Sequence, residues 1–243
     1  MLDRKTICSL MLGICCCMAL KAQVASPEVE ILEENGAAVT EETLLYPSDS
    51  YTASAPLRVS FKANAQEQEG YTYAYEWLLY ATDTPETPLL RRYEPETEYT
   101  FYDSGTFSAK LFVTYTNIES GGEPMTEESE PVTIVISESS LKVPNAFSPN
   151  GDGVNDIFKV TYKSLIKFEA NIFNRWGQRM YSWNLSNIDA GWDGTHGGNQ
   201  VKDGVYFIVI EAVGSDGIKY EIKQDINILR GQGGLGVGNI SGQ

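Results

Sequence analysis

Apolar residues recur at every second position through most of this chain, a period that suits half-buried strands and not helices. In "PLRVSFKANA", Leu57, Val59, Phe61 and Ala63 share one face, and Arg58, Ser60 and Lys62 the other. "YTYAYEWLLY" aligns Tyr71, Tyr73, Tyr75, Trp77 and Leu79. "TFSAKLFVTYT" aligns Phe107, Ala109, Leu111, Val113 and Tyr115, and "PVTIVIS" aligns Val132, Ile134 and Ile136. These runs are rich in aromatic and β-branched residues and are broken by Gly, Pro and Asp, as antiparallel strands are. No stretch of about a dozen residues in this half carries an amphipathic helical pattern. Several such strands between Pro27 and Glu138 predict a β-sandwich.

The second half keeps the period and changes the punctuation. "KFEANIF" sets Phe168, Ala170 and Ile172 against Lys167, Glu169 and Asn171, and "QRMYSW" follows the turn "NRWG". "IKYEIKQDINIL" alternates from Ile218 through Tyr220, Ile222, Gln224 and Ile226 to Ile228. "VYFIVIEAV" is apolar at odd and even positions alike, which predicts a central strand covered on both faces. The turns "NGDG", "AGWDGTHGGN", "KDG" and "GSDG" pair Gly with Asp or Asn and so supply the positive φ of tight hairpins. A second β-sandwich is expected here, which makes the chain all-β, with two tandem sandwiches.

The ends have their own composition. Arg4 and Lys5 precede an apolar run from Ile7 to Leu20, then "KAQ" with Ala22. A basic start, a short apolar run and a small residue at the cut describe a secretory signal peptide, residues 1–22. Cleavage at a lipidated cysteine among Cys15, Cys16 and Cys17 is the rival, disfavoured by Ile14 where a small residue is wanted. All four cysteines, these three and Cys8, fall inside the signal, so the exported chain would have no disulfide. Residues 231–243 are rich in Gly and read as a disordered tail. "NIESGGEPMTEESE" reads as an exposed acidic loop, with Glu127, Glu128 and Glu130 as a solvated face.

Charge narrows the function. With 18 basic and 33 acidic residues and a net charge of −15, the chain offers no basic run for phosphates or an anionic membrane. No transmembrane segment is expected after signal removal. The strongest cluster of chemistry-bearing side chains lies in "VPNAFSPNGDGVNDIF". There Asn150, Asp152, Asn155 and Asp156 bring oxygens together while Gly151 and Gly153 permit a tight curl. Such oxygens suit Ca²⁺, although the loop lacks the closing Glu and flanking helices of an EF-hand. The other reading is structural, with Asn and Asp capping their own turns. In "GWDGT", Trp192 is expected to pack across the end of the sandwich and Asp193 to hold the turn by accepting backbone N–H groups. Trp176 and Trp183 read as core or edge residues, with stacking on sugar rings as the alternative. His196, the only histidine, lies in a Gly-rich turn. With neither HExxH nor GxSxG present, no enzyme is expected and no catalytic residue is assigned.

Taken in order, "VPNAFSPNGDGVNDIF", "IFNRWGQRMYSW", "GWDGT", "VKDGVYFIVIEA" and "INILR" resemble the gliding motility-associated C-terminal domain. That family is the type B sorting domain of proteins exported by the type IX secretion system. The preceding strands, with "YEW" and "YTFYDSGTFSAKLFVTY", resemble more loosely a PKD-like immunoglobulin fold that lacks its usual Asp-Gly turn. The resemblance implies two immunoglobulin-like modules, over residues 23–138 and 139–230, of which the second binds secretion machinery in the outer membrane. It implies delivery to the cell surface or medium, or retention in the periplasm where that machine is absent. It also implies a tail that extends past the family's usual end and a cargo of one module. A calcium-supported adhesin that binds polysaccharide or host protein is the alternative.

Overall fold

The computed structural model describes residues 25–119 and 121–231. The expected signal peptide, its cysteines and residues 232–243 of the tail lie outside the described residues. Strands dominate what is described, in two successive units with separate hydrophobic cores.

The first unit has ten strands: β1 (Glu28–Glu34), β2 (Ala37–Leu45), β3 (Ser50–Ala53), β4 (Leu57–Lys62), β5 (Tyr71–Ala81), β6 (Leu90–Arg92), β7 (Glu96–Phe101), β8 (Gly105–Asn117), β9 (Met125–Glu128) and β10 (Val132–Ile136). One sheet runs β2-β1-β4-β7 and the other β3-β10-β8-β5-β6, with β9 added to β8. The alternation read from the sequence sets the core. Val29, Ile31, Leu57, Val59 and Phe61 of one sheet face Trp77, Leu79, Leu111, Val113 and Ile134 of the other, all buried. Phe61 and Trp77 meet at 5.4 Å between ring centroids. Burying each such aliphatic or aromatic side chain stabilises the fold by roughly 1.5–3 kcal/mol. The acidic stretch expected to be a loop is partly a strand: β9 pairs with β8, Lys110 binds Glu128, and Tyr115 donates to Glu127. The reason is that a long β8 leaves an unpaired edge for the returning chain to use.

The second unit comprises β11 (Ser140–Lys142), β12 (Ala146–Phe147), β13 (Thr161–Lys163), β14 (Leu165–Phe173), β15 (Arg179–Asn184), β16 (Thr195–His196), β17 (Asn199–Gln200), β18 (Gly204–Gly214) and β19 (Lys219–Ile228). Its main sheet is β12-β19-β18-β14-β15. The facing layer consists of short pieces: the β11–β13 and β16–β17 ladders, a 3-10 turn over Leu185–Ala190 and the loop leading to Phe158. Asn184 caps the 3-10 turn by accepting from the Ser186 N–H, a detail the strand pattern did not signal. Phe168, Ala170, Ile172, Ile208, Ile210, Ile226 and Ile228 pack under Phe147, Phe158, Leu165, Ile188 and Trp192.

One expectation is overturned here. The strand "VYFIVIEAV", β18, is covered on one face only. Tyr206, Ile208, Ile210 and Ala212 are buried, whereas Val205 is 48% and Phe207 42% exposed. Pairing with β14 and β19 uses the strand's edges, and no second layer lies over the odd-numbered face among the described residues.

The two units meet at a hydrogen-bonded joint. Ala55 N–H donates to Ser164 Oγ at 3.2 Å, and Ser104 N–H donates to the Ser215 carbonyl at 3.0 Å. Ser139 of the linker donates through N–H and Oγ to Asp216 at 2.9 and 2.8 Å. These bonds hold the Asp216 carboxyl below its usual range despite the opposing effect of burial. Ser164 and Ser215 are buried, and Ile166 packs on the core of the first unit. Gly214 lets the linker approach, since a Cβ there would stand 2.0 Å from Ser139 Oγ. Gly214→Val is therefore expected to open the joint at a cost of roughly 1–3 kcal/mol. Limited proteolysis should then cut the linker at Ser137–Ser140 faster than in the parent protein; unchanged cleavage would count against a fixed joint.

Candidate functional site

The segments that stand out in the sequence converge on one end of the second unit. The loop from Val143 to Phe158 leads into it, and there its polar side chains turn inward on their own backbone. Asp156 Oδ1 accepts from the N–H groups of Asn150 at 2.9 Å and Gly151 at 2.7 Å, and Oδ2 accepts from Gly153 at 2.8 Å. Asp152 accepts from Val154 N–H at 2.8 Å and from the Asn150 side-chain amide at 2.9 Å. Asn150 Oδ1 in turn accepts from Asp152 N–H at 3.0 Å. Asn155 takes a positive φ of 54° and offers its carbonyl to Ser148 N–H at 2.9 Å.

The carboxylates of Asp152 and Asp156 are engaged by N–H groups of their own loop, the arrangement of a self-capped structural turn. Among the described residues no three of His, Cys, Asp or Glu gather as a metal site. The N–H bonds instead lower the Asp156 pKa, those from Gly151 and Gly153 most, against the opposing effect of desolvation.

The "GWDGT" turn supplies the lid of the core. Trp192 is fully buried, with ring centroids 5.6 Å from Phe147 and 5.4 Å from Tyr206. Its Nε1–H donates to the Thr195 carbonyl at 2.8 Å, which meets the polar need of a buried indole. Asp193 accepts from Thr195 N–H and Oγ1–H at 2.9 and 2.7 Å. Gly191 takes φ of 65°, and a Cβ there would lie 2.5 Å from the Phe158 carbonyl. No side chain fits that approach. His196 is exposed, and its Nδ1 lies 2.8 Å from the Met180 carbonyl.

Arg230, which ends "INILR", ties these pieces together. Its guanidinium donates to the carbonyls of Pro149 at 3.1 Å, Val201 at 2.7 Å and Gly194 at 3.3 Å, and to Asp203 Oδ1 at 2.5 Å. The planar fork of Arg suits this role, because several acceptors in different directions each meet an N–H. Nothing in the sequence announces it, since the four partners come from three separate turns.

Beside this end stands the "NRWG" hairpin. Asn174 Oδ1 accepts from Trp176 N–H at 2.9 Å and Gln178 N–H at 3.0 Å, so the turn is held from within. Trp176 is 75% exposed, which corrects its reading as a core or edge residue. Trp183 is buried as expected, with its ring 5.9 Å from Phe168. The difference is position: Trp183 lies on an inward strand register, while Trp176 lies in the turn, where no register assigns a face. Arg175 places its guanidinium carbon 4.2 Å from the Trp176 ring centroid. Trp176, Arg175, Lys202, Asp203 and Val205 line a shallow groove of about 320 Å³.

Charge is divided between the units. Residues 23–140 carry 5 basic and 22 acidic side chains, whereas residues 141–230 carry 10 of each. The acidity noted in the sequence thus belongs wholly to the first unit.

A family described as "CHU_C Type IX secretion signal domain" matches residues 141–226. No curated protein matches the chain. Among solved structures, the FN1–FN3 domains of chicken CNTN1 are similar at 15% identity over 83% of this chain and 77% of that one, with a TM-score of 0.25. A tetra-tandem repeat in the extending region of a large adhesion protein is similar at 7% identity over 85% and 68%, with a TM-score of 0.25. Dimeric latent PorU from Porphyromonas gingivalis is similar at 12% identity over 87% of this chain and 21% of that one, with a TM-score of 0.26. Among the described residues no helix is long and apolar enough to cross a membrane.

The self-capped loop predicts two linked outcomes. A chelator such as EDTA leaves the melting temperature unchanged, while Asp156→Ala lowers it. The Asp156 contribution is complete above its ordinary pKa of 3.8 and is lost as pH falls through the lower folded value. The parent and Asp156→Ala should therefore converge in melting temperature under strongly acidic conditions. A drop in melting temperature with EDTA, reversed by Ca²⁺, would overturn the metal-free reading.

Proposed function

We propose that this is an exported, non-enzymatic protein whose second unit directs passage through the type IX secretion system to the cell surface or the medium. The observation that carries this reading is the family match over residues 141–226. The fold is consistent with it, because the matching segments build one end of a single module: Trp192 and Asp193, with Arg230 just past the matched range, hold loops from across that range in one place. The first unit then serves as the passenger, a spacer or an interaction module of PKD-like type held at a fixed angle by the joint at Ser139 and Asp216. Its partner in export is secretion machinery in the outer membrane. The test is deletion of residues 139–243 in a cell that carries the type IX machine. The shortened protein should accumulate in the periplasm, while the full chain is recovered on the surface or in the medium. Equal export of both would refute the sorting role.

A second reading, in which the first unit binds a neutral polysaccharide, is favoured by one feature. At the end of the sandwich a groove of about 620 Å³ is lined by Tyr99, Tyr102, Leu89, Asp83 and Asp103. Tyr102 is 55% exposed and offers a ring face, and the two carboxylates can accept from sugar hydroxyls. Burial and the nearby Asp103 raise the Tyr99 pKa. An acidic unit would repel anionic glycans, which leaves neutral ones. Isothermal titration with a soluble neutral glucan should show binding that Tyr102→Ala weakens by about tenfold, the scale of one lost stacking contact; binding that survives Tyr102→Ala would place it elsewhere.

A further inference from the structure

The outer face of the β12-β19-β18-β14-β15 sheet is charged around Glu169, Glu211 and Glu221 but apolar at the end that carries Val205 and Phe207. Val205 and Phe207 project outward from β18 at 48% and 42% exposure. Phe173 pairs with Phe207 across the β14–β18 ladder and continues the strip. Val205 lines the same shallow groove as Trp176 at the hairpin tip. Strand β18 is therefore apolar on two faces but buried on one. On the inner face the same residue types are wholly enclosed. On the outer face they meet solvent, and exposed apolar side chains gathered in this way are a feature of interaction sites.

The chemistry of the rim selects the occupant. Arg175 covers one face of Trp176, and no carboxylate of the described residues pairs with it. Lys202 borders the same groove and likewise has no ion-pair partner among the described residues. Asp203, the one acid lining the groove, is engaged by Arg230. The patch is thus an apolar strip with two cations at its Trp176 end and the exposed Asp225 opposite Phe207 on its β19 side, and Trp and Arg are the residue types that anchor interfaces.

We infer that this face docks a protein surface that presents an apolar ridge flanked by carboxylates. The inference rests on the secretion reading above and places recognition by the export machine at Trp176, Phe173, Val205 and Phe207, with Arg175 and Lys202 setting charge specificity. The hairpin is pre-ordered by Asn174, so little conformational entropy is lost when Trp176 is covered. Steering by Arg175 and Lys202 gives the contact a salt-dependent rate.

The experiment uses the full chain in a cell that carries the type IX machine and compares four proteins. These are the parent, the deletion of residues 139–243, Trp176→Ser with Phe207→Ser, and Arg175→Glu with Lys202→Glu. Melting temperature and near-ultraviolet circular dichroism establish that the substituted proteins fold; all four substituted side chains are at the surface. Both substituted proteins should be exported at least about tenfold less than the parent, the loss expected for an interface anchor. Trp176→Phe should recover most of it. A photo-crosslinking residue at position 176 should capture an outer-membrane component of the machine, and one at the remote, exposed Ile218 should not. If the deletion blocks export while both folded substituted proteins are exported like the parent, this inference fails and the sorting reading stands. If the deletion itself is exported, the sorting reading fails and takes the inference with it. A soluble saccharide that competes away the crosslink would also overturn a protein partner.

Discussion

The antiparallel bridge between Phe158 and Trp192 is the constraint on which the second unit depends. Phe158 N–H donates to the Trp192 carbonyl at 2.8 Å, and Trp192 N–H returns the bond at 3.0 Å. This unit has one full sheet, and a sheet with an apolar face must be covered to be stable. Its cover is made of two short ladders, a 3-10 turn and loops, and ordering such irregular chain costs conformational entropy. The bridge pins the two longest of those loops to each other across the core. Gly191 makes the approach possible, and the buried indole of Trp192 makes it favourable by filling the space between Phe147 and Tyr206. The Asx-type bonds of Asp156 and Asp193 and the fork of Arg230 then act in support. Each removes freedom from a turn that has no regular ladder to hold it.

The same economy explains the joint between units. Apart from Ile166, which packs on the first core, the contact is a set of small polar groups: Ser104, Ser139, Ser164, Ser215 and Asp216. Small residues let backbones come close enough to bond directly, as in the Ser104 N–H to Ser215 carbonyl contact. Such a joint sets an orientation without requiring a large apolar interface. It also keeps the acidic first unit in a defined place relative to an electrically balanced second one.

Much of this was legible in the strand runs. The inward registers of Leu57, Val59 and Phe61, of Phe168, Ala170 and Ile172, and of Ile226 and Ile228 follow directly from a period of two, because successive side chains must point to opposite faces. Trp192 and Asp193 were legible too, since a Gly-flanked Trp-Asp in a turn has few other uses. Three features were not. Strand β18 gave equal apolar signals on both faces, and periodicity cannot say how many layers lie over a sheet. Trp176 sits in a turn, where no register exists. The partners of Arg230 are scattered over Pro149, Gly194, Val201 and Asp203, and three of the contacts are backbone carbonyls that carry no residue-type signal. The loop oxygens at Asn150, Asp152 and Asp156 were visible as a cluster, but whether they faced a metal or their own N–H groups turned on where the backbone curled.

What the amino-acid order determined by itself was local: which segments are strands, which side of each is apolar, and which turns need Gly beside Asp or Asn. Those properties depend on a few neighbouring residues and on the two-residue repeat. Only the tertiary structure decided what meets what. It set Phe158 against Trp192, tied Asp156 to its own loop, gathered distant carbonyls around Arg230 and left one face of β18 bare. Each of these depends on how separate segments stack in space, and stacking is chosen by the shape of the whole core, which no local pattern records.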